Sequence, residues 1–171
     1  MIREATVNDA RRIAQIEVES SRYAYKNIVA DEHLYQNLSV EGRIPVYERW
    51  LSEKRFALYV YEEPETGKIP GMMGIGMCED EDKTNAFELH FIYVDPDYVR
   101  MGIGSEMLAF YEEKAREAGC ADRVIWVLEE NEKARKFYEK HGYRTDGQEK
   151  IFRRWNKREI RYVNAESPED I

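Results

Sequence analysis

Long apolar runs and cysteines are both scarce in this chain of 171 residues. No apolar run approaches the roughly 20 residues that span a bilayer, and the first four residues lack the charged and apolar regions of a signal peptide. We therefore expect a cytoplasmic protein that does not associate with membranes. The two cysteines, Cys78 and Cys120, are too few and too far apart in sequence for a disulfide framework or a zinc site.

Histidine and positive charge are also in short supply. The chain has 3 histidines and 26 Lys and Arg against 34 Asp and Glu, a formal net charge of -8. Nucleic-acid binding needs a basic surface, so this balance excludes a generic nucleic-acid partner and would suit a cationic one. His33 and His141 have no convergent acid or cysteine in the sequence, so the pattern favours neither a metal centre nor a catalytic triad.

What the chain does have is the composition of a globular domain, with 43% hydrophobic and 35% charged residues. Hydrophobic periodicity predicts strands, helices and turns in alternation. The expected strands are 2–5, 56–61, 69–78, 86–94, 124–128, 143–152 and 158–163. The expected helices end near residues 25, 38, 118 and 141, and one more begins at Pro45 and ends before Arg55. This order fits one α/β (α+β) domain: a mixed, mainly antiparallel sheet of about seven strands with helices on both sides.

Three local patterns carry further expectations. Pro45 is well placed as the first residue of a helix that buries Val46, Tyr47, Trp50 and Leu51. The acidic run 79–82 is typical of a solvated loop. The three glycines of the strand 69–78 indicate bends or close backbone approach.

A glycine loop follows the strand 86–94 and opens a helix that is expected to bury Met107, Leu108, Tyr111, Ala115 and Ala118. Such a helix start leaves backbone N–H groups without intrahelical partners, and glycine lets an anion approach them closely. A dinucleotide-binding loop would need a third glycine where Met107 stands, and a P-loop would end in Gly-Lys-Ser/Thr. The loop fits neither, so we interpret it as a different kind of phosphate site.

Two motifs carry a resemblance to a known family. The first runs from Tyr93-Val94-Asp95-Pro96-Asp97-Tyr98 through Gly102-Ile103-Gly104-Ser105, and the second is Asn131-Glu132-Lys133-Ala134-Arg135-Lys136-Phe137-Tyr138-Glu139-Lys140-His141-Gly142-Tyr143. In this order and setting they resemble the acyl-CoA loop and the second signature of the GNAT superfamily of N-acetyltransferases. The family usually has Gln or Arg where this chain has Val99. The likeness covers nearly the whole chain, with an N-acetyltransferase domain over residues 1–164 and a polar tail over 165–171.

The resemblance implies acetyl-CoA as cosubstrate, with no metal. The amides of the loop would hold its pyrophosphate, the strand end would bind pantetheine like an added strand, and Asn131 would contact the pantetheine or acyl region besides capping its helix. The implied contacts are Ile92, Tyr93, Val94, Val99, Arg100, Met101, Gly102, Ile103, Gly104, Ser105, Asn131 and Tyr138.

The implied catalytic residues are Tyr138 and Glu88. Tyr138 would give the departing thiolate its proton, although it also falls on the apolar stripe of its helix and would be interpreted as a core residue without the motif. Glu88 lies 14 residues before Gly102, as the catalytic glutamate does in several members of the family. It shares a strand face with His90, so Glu88, His90 or a relaying water could accept the proton of the amine.

The acceptor is expected to be a primary amine of a small molecule or peptide. Aromatic residues of the helices between the first two strands would wall its site and suit a cation, namely Tyr23, Tyr25, Tyr35, Tyr47 and Trp50. A non-catalytic acyl-CoA-binding or sensor protein on the same fold is the alternative, and release of free thiol distinguishes the two. The hairpin or the terminal strands could also pair in a homodimer.

Overall fold

The structure is a computed structural model that describes residues 1–54 and 57–165. The predicted strand position Phe56 and the tail residues 166–171 lie outside the described residues. Within them, no helix is both long and apolar enough to cross a bilayer.

The elements follow the predicted order. The strands are β1 (Ile2–Glu4), β2 (Ala57–Tyr61), β3 (Gly71–Met77), β4 (Ala86–Val94), β5 (Asp122–Leu128), β6 (Arg144–Phe152) and β7 (Lys157–Ala165). The helices are α1 (Ala10–Ala24), α2 (Val40–Glu53), α3 (Ile103–Glu117) and α4 (Glu132–Lys140), with a π-helical turn at Glu32–Gln36 and short 3₁₀ turns at Val7–Asp9 and Pro96–Tyr98.

The seven strands form one sheet in the order β1-β2-β3-β4-β5-β7-β6. The pairing of β4 with β5 is parallel, whereas β1 with β2, β2 with β3, β5 with β7 and β6 with β7 are antiparallel. The predicted fold class, a mixed and mainly antiparallel sheet of about seven strands flanked by helices, is confirmed.

The described residues form two compact units, the first made of Met1–Ile75 and Phe91–Phe110. Its core joins α1 and α2 to β2 and β3, where Ile13, Ile16, Tyr47, Val60 and Met72 are almost fully buried. These apolar positions recur at helical spacing in α1 and at every second position in β2, which explains why the segments pack as a helix and a strand.

The second unit comprises Gly76–His90 and the described residues from Tyr111 onward. The buried Tyr111 hydroxyl organises it by donating to the Phe87 carbonyl (2.7 Å) and accepting from the Val124 amide (3.1 Å). One side chain thereby connects α3 to β5 and to β4, the strand that carries Glu88 and His90.

The start of α2 and the end of α3 differ from the predicted helix boundaries. Helix α2 begins five residues before Pro45, because the Ser39 side chain accepts a hydrogen bond from the Gly42 amide and caps it there. Of the residues expected on its buried face, Tyr47 is fully buried, while Val46, Trp50 and Leu51 are half-buried. Ala118 is exposed, because α3 ends at Glu117 and the chain turns at Gly119 (φ +72°).

Candidate functional site

The end of β4 is held firmly by side chains of α1. Ser20 Oγ donates to the Val94 carbonyl (2.8 Å), and Arg12 forms an ion pair with the buried carboxylate of Asp95. Asp95 also accepts from the Asp97 amide (3.0 Å), and its own amide donates to the Pro70 carbonyl (2.8 Å). The loop to α3 therefore starts from a fixed point.

The loop itself exposes its backbone. Arg100 and Gly102 adopt left-handed conformations (φ +67° and +86°), and the amides of Ser105 and Glu106 donate to the Gly102 carbonyl at 3.0 and 3.1 Å. The amides of Ile103 and Gly104 come before the first intrahelical hydrogen bond of α3, where they can point to a ligand. Because Arg100, Met101, Gly102 and Ser105 are exposed, an anion can reach these amides.

The start of α3 is fixed against β3. A Cβ atom at Gly71 would lie 2.8 Å from Met107 Sδ and 3.2 Å from Ile103 Cγ2, closer than packed side chains allow. A Cβ at Gly74 would lie 2.4 Å from Cζ of Phe91. The close approach predicted from the glycines of this strand is confirmed, and it sets the position of the loop.

In the second unit, Glu88 and His90 contact each other on one strand face, as their spacing predicts. His90 Nδ1 lies 3.2 Å from Glu88 Oε1, and the two side chains are 16% and 12% exposed. Cys78 lies close by: burial and the neighbouring Glu88 carboxylate contribute to raising the pKa of its thiol to about 12, against a hydrogen bond from the backbone of Asp80. This thiol therefore stays protonated at neutral pH, and the carboxylate and imidazole are the groups here suited to accept a proton.

The strand register shows which face Glu88 occupies. Glu88 is level with Val124, and Val124 is paired with Val163, so these three side chains share a face. The next residue of β7, Tyr162, lies on the opposite face and hydrogen-bonds Glu139 and Arg135 of α4. Glu88 therefore lies on the face of the sheet opposite α4.

Tyr138 lies on α4, where it is 6% exposed and its ring centroid is 6.4 Å from that of Tyr162. It consequently lies on the opposite side of the sheet from Glu88. Asn131 caps this helix by accepting from the Ala134 amide (3.2 Å), which confirms its predicted capping.

The acidic run 79–82 is a loop in which Glu79, Glu81 and Asp82 are exposed, as predicted, but two of its carboxylates also make ion pairs that the prediction did not include. Asp80 and Asp82 pair with Arg161 (2.9 and 2.5 Å), whose side chain is only 3% exposed and which also pairs with Asp146 (2.8 Å). Asp80 further accepts from Nε1 of Trp126 (3.1 Å). Nothing local in the sequence indicates this cluster, because Asp80 and Arg161 are 81 positions apart and meet only through the strand pairing.

The aromatic residues expected to wall an acceptor site have different environments. Tyr47 is buried, and its hydroxyl donates to Glu17 (3.0 Å), so it belongs to the core of the first unit. Trp50 stacks on Phe91 at 6.2 Å. Tyr23 and Tyr35 are half exposed at the surface. Among the described side chains, no group of three or more His, Cys, Asp or Glu is arranged to hold a metal ion.

A comparison with known proteins places the loop and the candidate catalytic residues in one family motif region. The model of the Acetyltransferase (GNAT) family matches residues 17–143, which include the loop, Glu88 and Tyr138. The uncharacterized N-acetyltransferase YuaI of Bacillus subtilis is 28% identical over 130 residues, or 76% of this chain and 72% of that protein.

Two comparisons involve Thermoplasma acidophilum. Its spermidine N(1)-acetyltransferase is 25% identical over 158 residues, or 88% of this chain and 93% of that protein. The crystal structure of PaiA N-acetyltransferase from this organism, in complex with coenzyme A, aligns with a TM-score of 0.75 at 18% identity, covering 97% of this chain and 98% of that one.

Proposed function

Because the chain belongs to the GNAT acetyltransferase family, we propose that it moves the acetyl group of acetyl-CoA to a primary amine of a small molecule or peptide. The observation that carries the proposal is the start of α3, where the amides of Ile103 and Gly104 precede the first intrahelical hydrogen bond, within the segment that the family model matches. We propose that the amides from Arg100 to Ser105 bind the pyrophosphate.

The continuation of β4 supports the proposal for pantetheine. The pairing of β4 with β5 runs from Ala86 to Leu89, and β4 then continues to Val94. An extended ligand could hydrogen-bond this continuation at Ile92 to Val94, as an added strand does. Since the Val94 carbonyl already accepts from Ser20, the contacts would depend on the other backbone groups and on Asn131.

The chemistry requires the nitrogen to lose two protons and the thiolate to gain one. The ammonium group of the acceptor loses its first proton to Glu88, directly or through water, and the neutral nitrogen attacks the thioester carbonyl. As the C–S bond breaks, the thiolate takes a proton from Tyr138, and the second proton lost by the nitrogen restores the Tyr138 hydroxyl through water. The contact between Glu88 and His90 supports both as candidates for the base, with the carboxylate favoured because it would also attract a cationic amine.

The acceptor is proposed to be cationic, in agreement with the net charge of -8 and with the name of the T. acidophilum relative, which acts on spermidine. A cytoplasmic location, a homodimer and a domain limit at residue 164 remain predictions.

The test is a screen of polyamines, aminoglycosides, amino acids and peptide amines with acetyl-CoA, in which the release of the CoA thiol is followed. Thiol release that depends on an amine supports transfer. Tight binding of acetyl-CoA without thiol release for any amine would favour the alternative, a non-catalytic acyl-CoA sensor.

A further inference from the structure

The face of the sheet that carries Glu88 continues across β5 and β7. Trp126 lies two residues beyond Val124 and is paired with Arg161, while Glu159 lies two residues before Arg161. Since side chains alternate along a strand, Glu88, Trp126 and Glu159 all point to this face, opposite α4. Trp126 and Glu159 are both half-buried.

The face of the Trp126 indole holds an ammonium group of the protein itself. Lys150 lies on β6 directly opposite Glu159, and its side chain crosses β7 so that Nζ is 4.0 Å from the centroid of the indole. An alkylammonium group over an indole, beside a carboxylate, is a favourable arrangement for a cation. Lys150 is an exposed residue on an edge strand, so it can leave this position at little cost.

The other cation near this indole is committed elsewhere. Arg161 Cζ is 5.6 Å from the ring, but its guanidinium is buried and paired with Asp80, Asp82 and Asp146. Its positive charge is therefore neutralised locally, and it fixes the Trp126 ring through the shared Asp80. The indole is thus held at its Nε1 edge by Asp80, and its face carries the Lys150 ammonium group.

Glu159 is the carboxylate next to this position. Burial raises its pKa, the charge of Lys150 lowers it and the charge of Glu88 raises it, so Glu159 lies close enough to both groups to respond to them. An ammonium group close to both carboxylates, whether from Lys150 or from a ligand, reduces the repulsion between Glu159 and Glu88.

We propose that Trp126 and Glu159 form a subsite for the second ammonium group of a diamine or polyamine acceptor, a site that the Lys150 ammonium occupies when the acceptor is absent. This inference rests on the proposed function, since Glu88 would receive the reacting amine. Glu159 is then a specificity residue, and Lys150 competes with the acceptor for its place on Trp126.

The experiment compares α,ω-diaminoalkanes of increasing length, spermidine, and monoamines of matched length, with acetyl-CoA at mildly alkaline pH. In Glu159→Gln we expect KM for the diamines to rise about tenfold, with kcat and all constants for monoamines unchanged. In Lys150→Met, which keeps an unbranched side chain one atom shorter but removes its charge, KM for the diamines should fall about threefold. Glu149→Gln is the matched control, because Glu149 also lies on β6 but pairs with Arg158 and is level with Ile160, on the other face.

Equilibrium binding of the same amines to the complex with CoA separates this inference from the proposed function. Diamine binding that weakens in Glu159→Gln and strengthens in Lys150→Met supports the subsite, even if no acetyl transfer occurs and the proposed function fails. Acetylation of diamines and monoamines with the same preference in wild type and Glu159→Gln would overturn the subsite and leave the proposed function standing. A loss of binding in Lys150→Met would also overturn it, because Lys150 would then help to hold the acceptor.

Discussion

The loop before α3 and the sheet face around Glu88 present opposite kinds of groups. In the loop, the side chain of Asp95 is occupied by Arg12 and by the loop amide at Asp97, and the open groups are backbone amides. On the sheet face, the backbone of β5 is committed to strand pairing, and the groups offered to a ligand are side chains such as Glu88 and Trp126. We therefore predict that binding depends on backbone shape in the first region and on charge in the second.

This contrast predicts how each region responds to substitution. Removing a charged or polar group without changing the shape of the side chain should impair the function of the sheet face and of Tyr138 but not binding at the loop. A change of shape that leaves these groups in place should impair binding at the loop only. Four substitutions test this, from the largest expected effect to the smallest.

The largest effect is expected for Tyr138→Phe. The ring remains packed against Tyr162 and Tyr143, but the proton donor is lost, so kcat should fall by about 10²–10⁴-fold. Steady-state kinetics and thermal melting of the same preparation check the result. Full activity of the variant would show that Tyr138 only packs in the hydrophobic core and donates no proton.

Glu88→Gln should lower kcat/KM by about 10²-fold, because the amide cannot accept the proton. His90→Gln, the partner variant, should have a smaller effect. A larger fall in kcat for His90→Gln than for Glu88→Gln would assign the base to the imidazole. A higher KM at unchanged kcat in Glu88→Gln would show that Glu88 binds the amine only.

Gly104→Val changes the shape of the loop without changing its charge. The branched side chain would stand where the phosphate approaches the amides, and affinity for acetyl-CoA should fall by about 1–3 kcal/mol, or roughly five- to 150-fold. Calorimetric titration measures it, with Ala109→Val at an exposed position of the same helix as the control. Equal affinity in both folded variants would contradict phosphate binding at this loop.

The smallest effect is expected for Asp82→Asn, and it concerns stability. The hydrogen bond and charge of Arg161 lower the pKa of Asp82 from 3.8 to about 2, so its stabilising contribution is present above about pH 4 and is lost as the pH falls through about 2. The variant should melt slightly lower at neutral pH and differ less from wild type in acid. A constant difference in melting temperature across this range would show that the ion pair contributes nothing.

The contrast also explains what the sequence could predict. The loop and its helix start are encoded within one short segment, from Val99 to Ser105, and turn and cap preferences act locally, so both were predictable. Strand β4 was predicted with its observed bounds for the same reason. The predicted start of α2 at Pro45 is wrong, because the helix is capped earlier, by the side chain of Ser39, and Pro45 lies inside it.

The sheet face could be predicted only in part. The contact of Glu88 with His90 follows from alternation within one strand, but the position of Trp126 beside Glu159 depends on the register of β5 with β7. Likewise, the sequence around Arg161 does not indicate that it pairs with three aspartates, because these residues are distant in sequence and meet only in the folded chain. The roles of Glu88 and Tyr138 remain predictions that the variants above test.

Helix α1 connects its own surface to the loop by two bonds, from Arg12 to Asp95 and from Ser20 to the Val94 carbonyl, eight residues apart on one helix. If a ligand bound against α1 and disturbed these two contacts, any loss of affinity for CoA at the loop would be matched by an equal loss of affinity for that ligand once CoA is bound. The two contacts therefore give this helix a route by which binding at its surface could be coupled to binding at the loop.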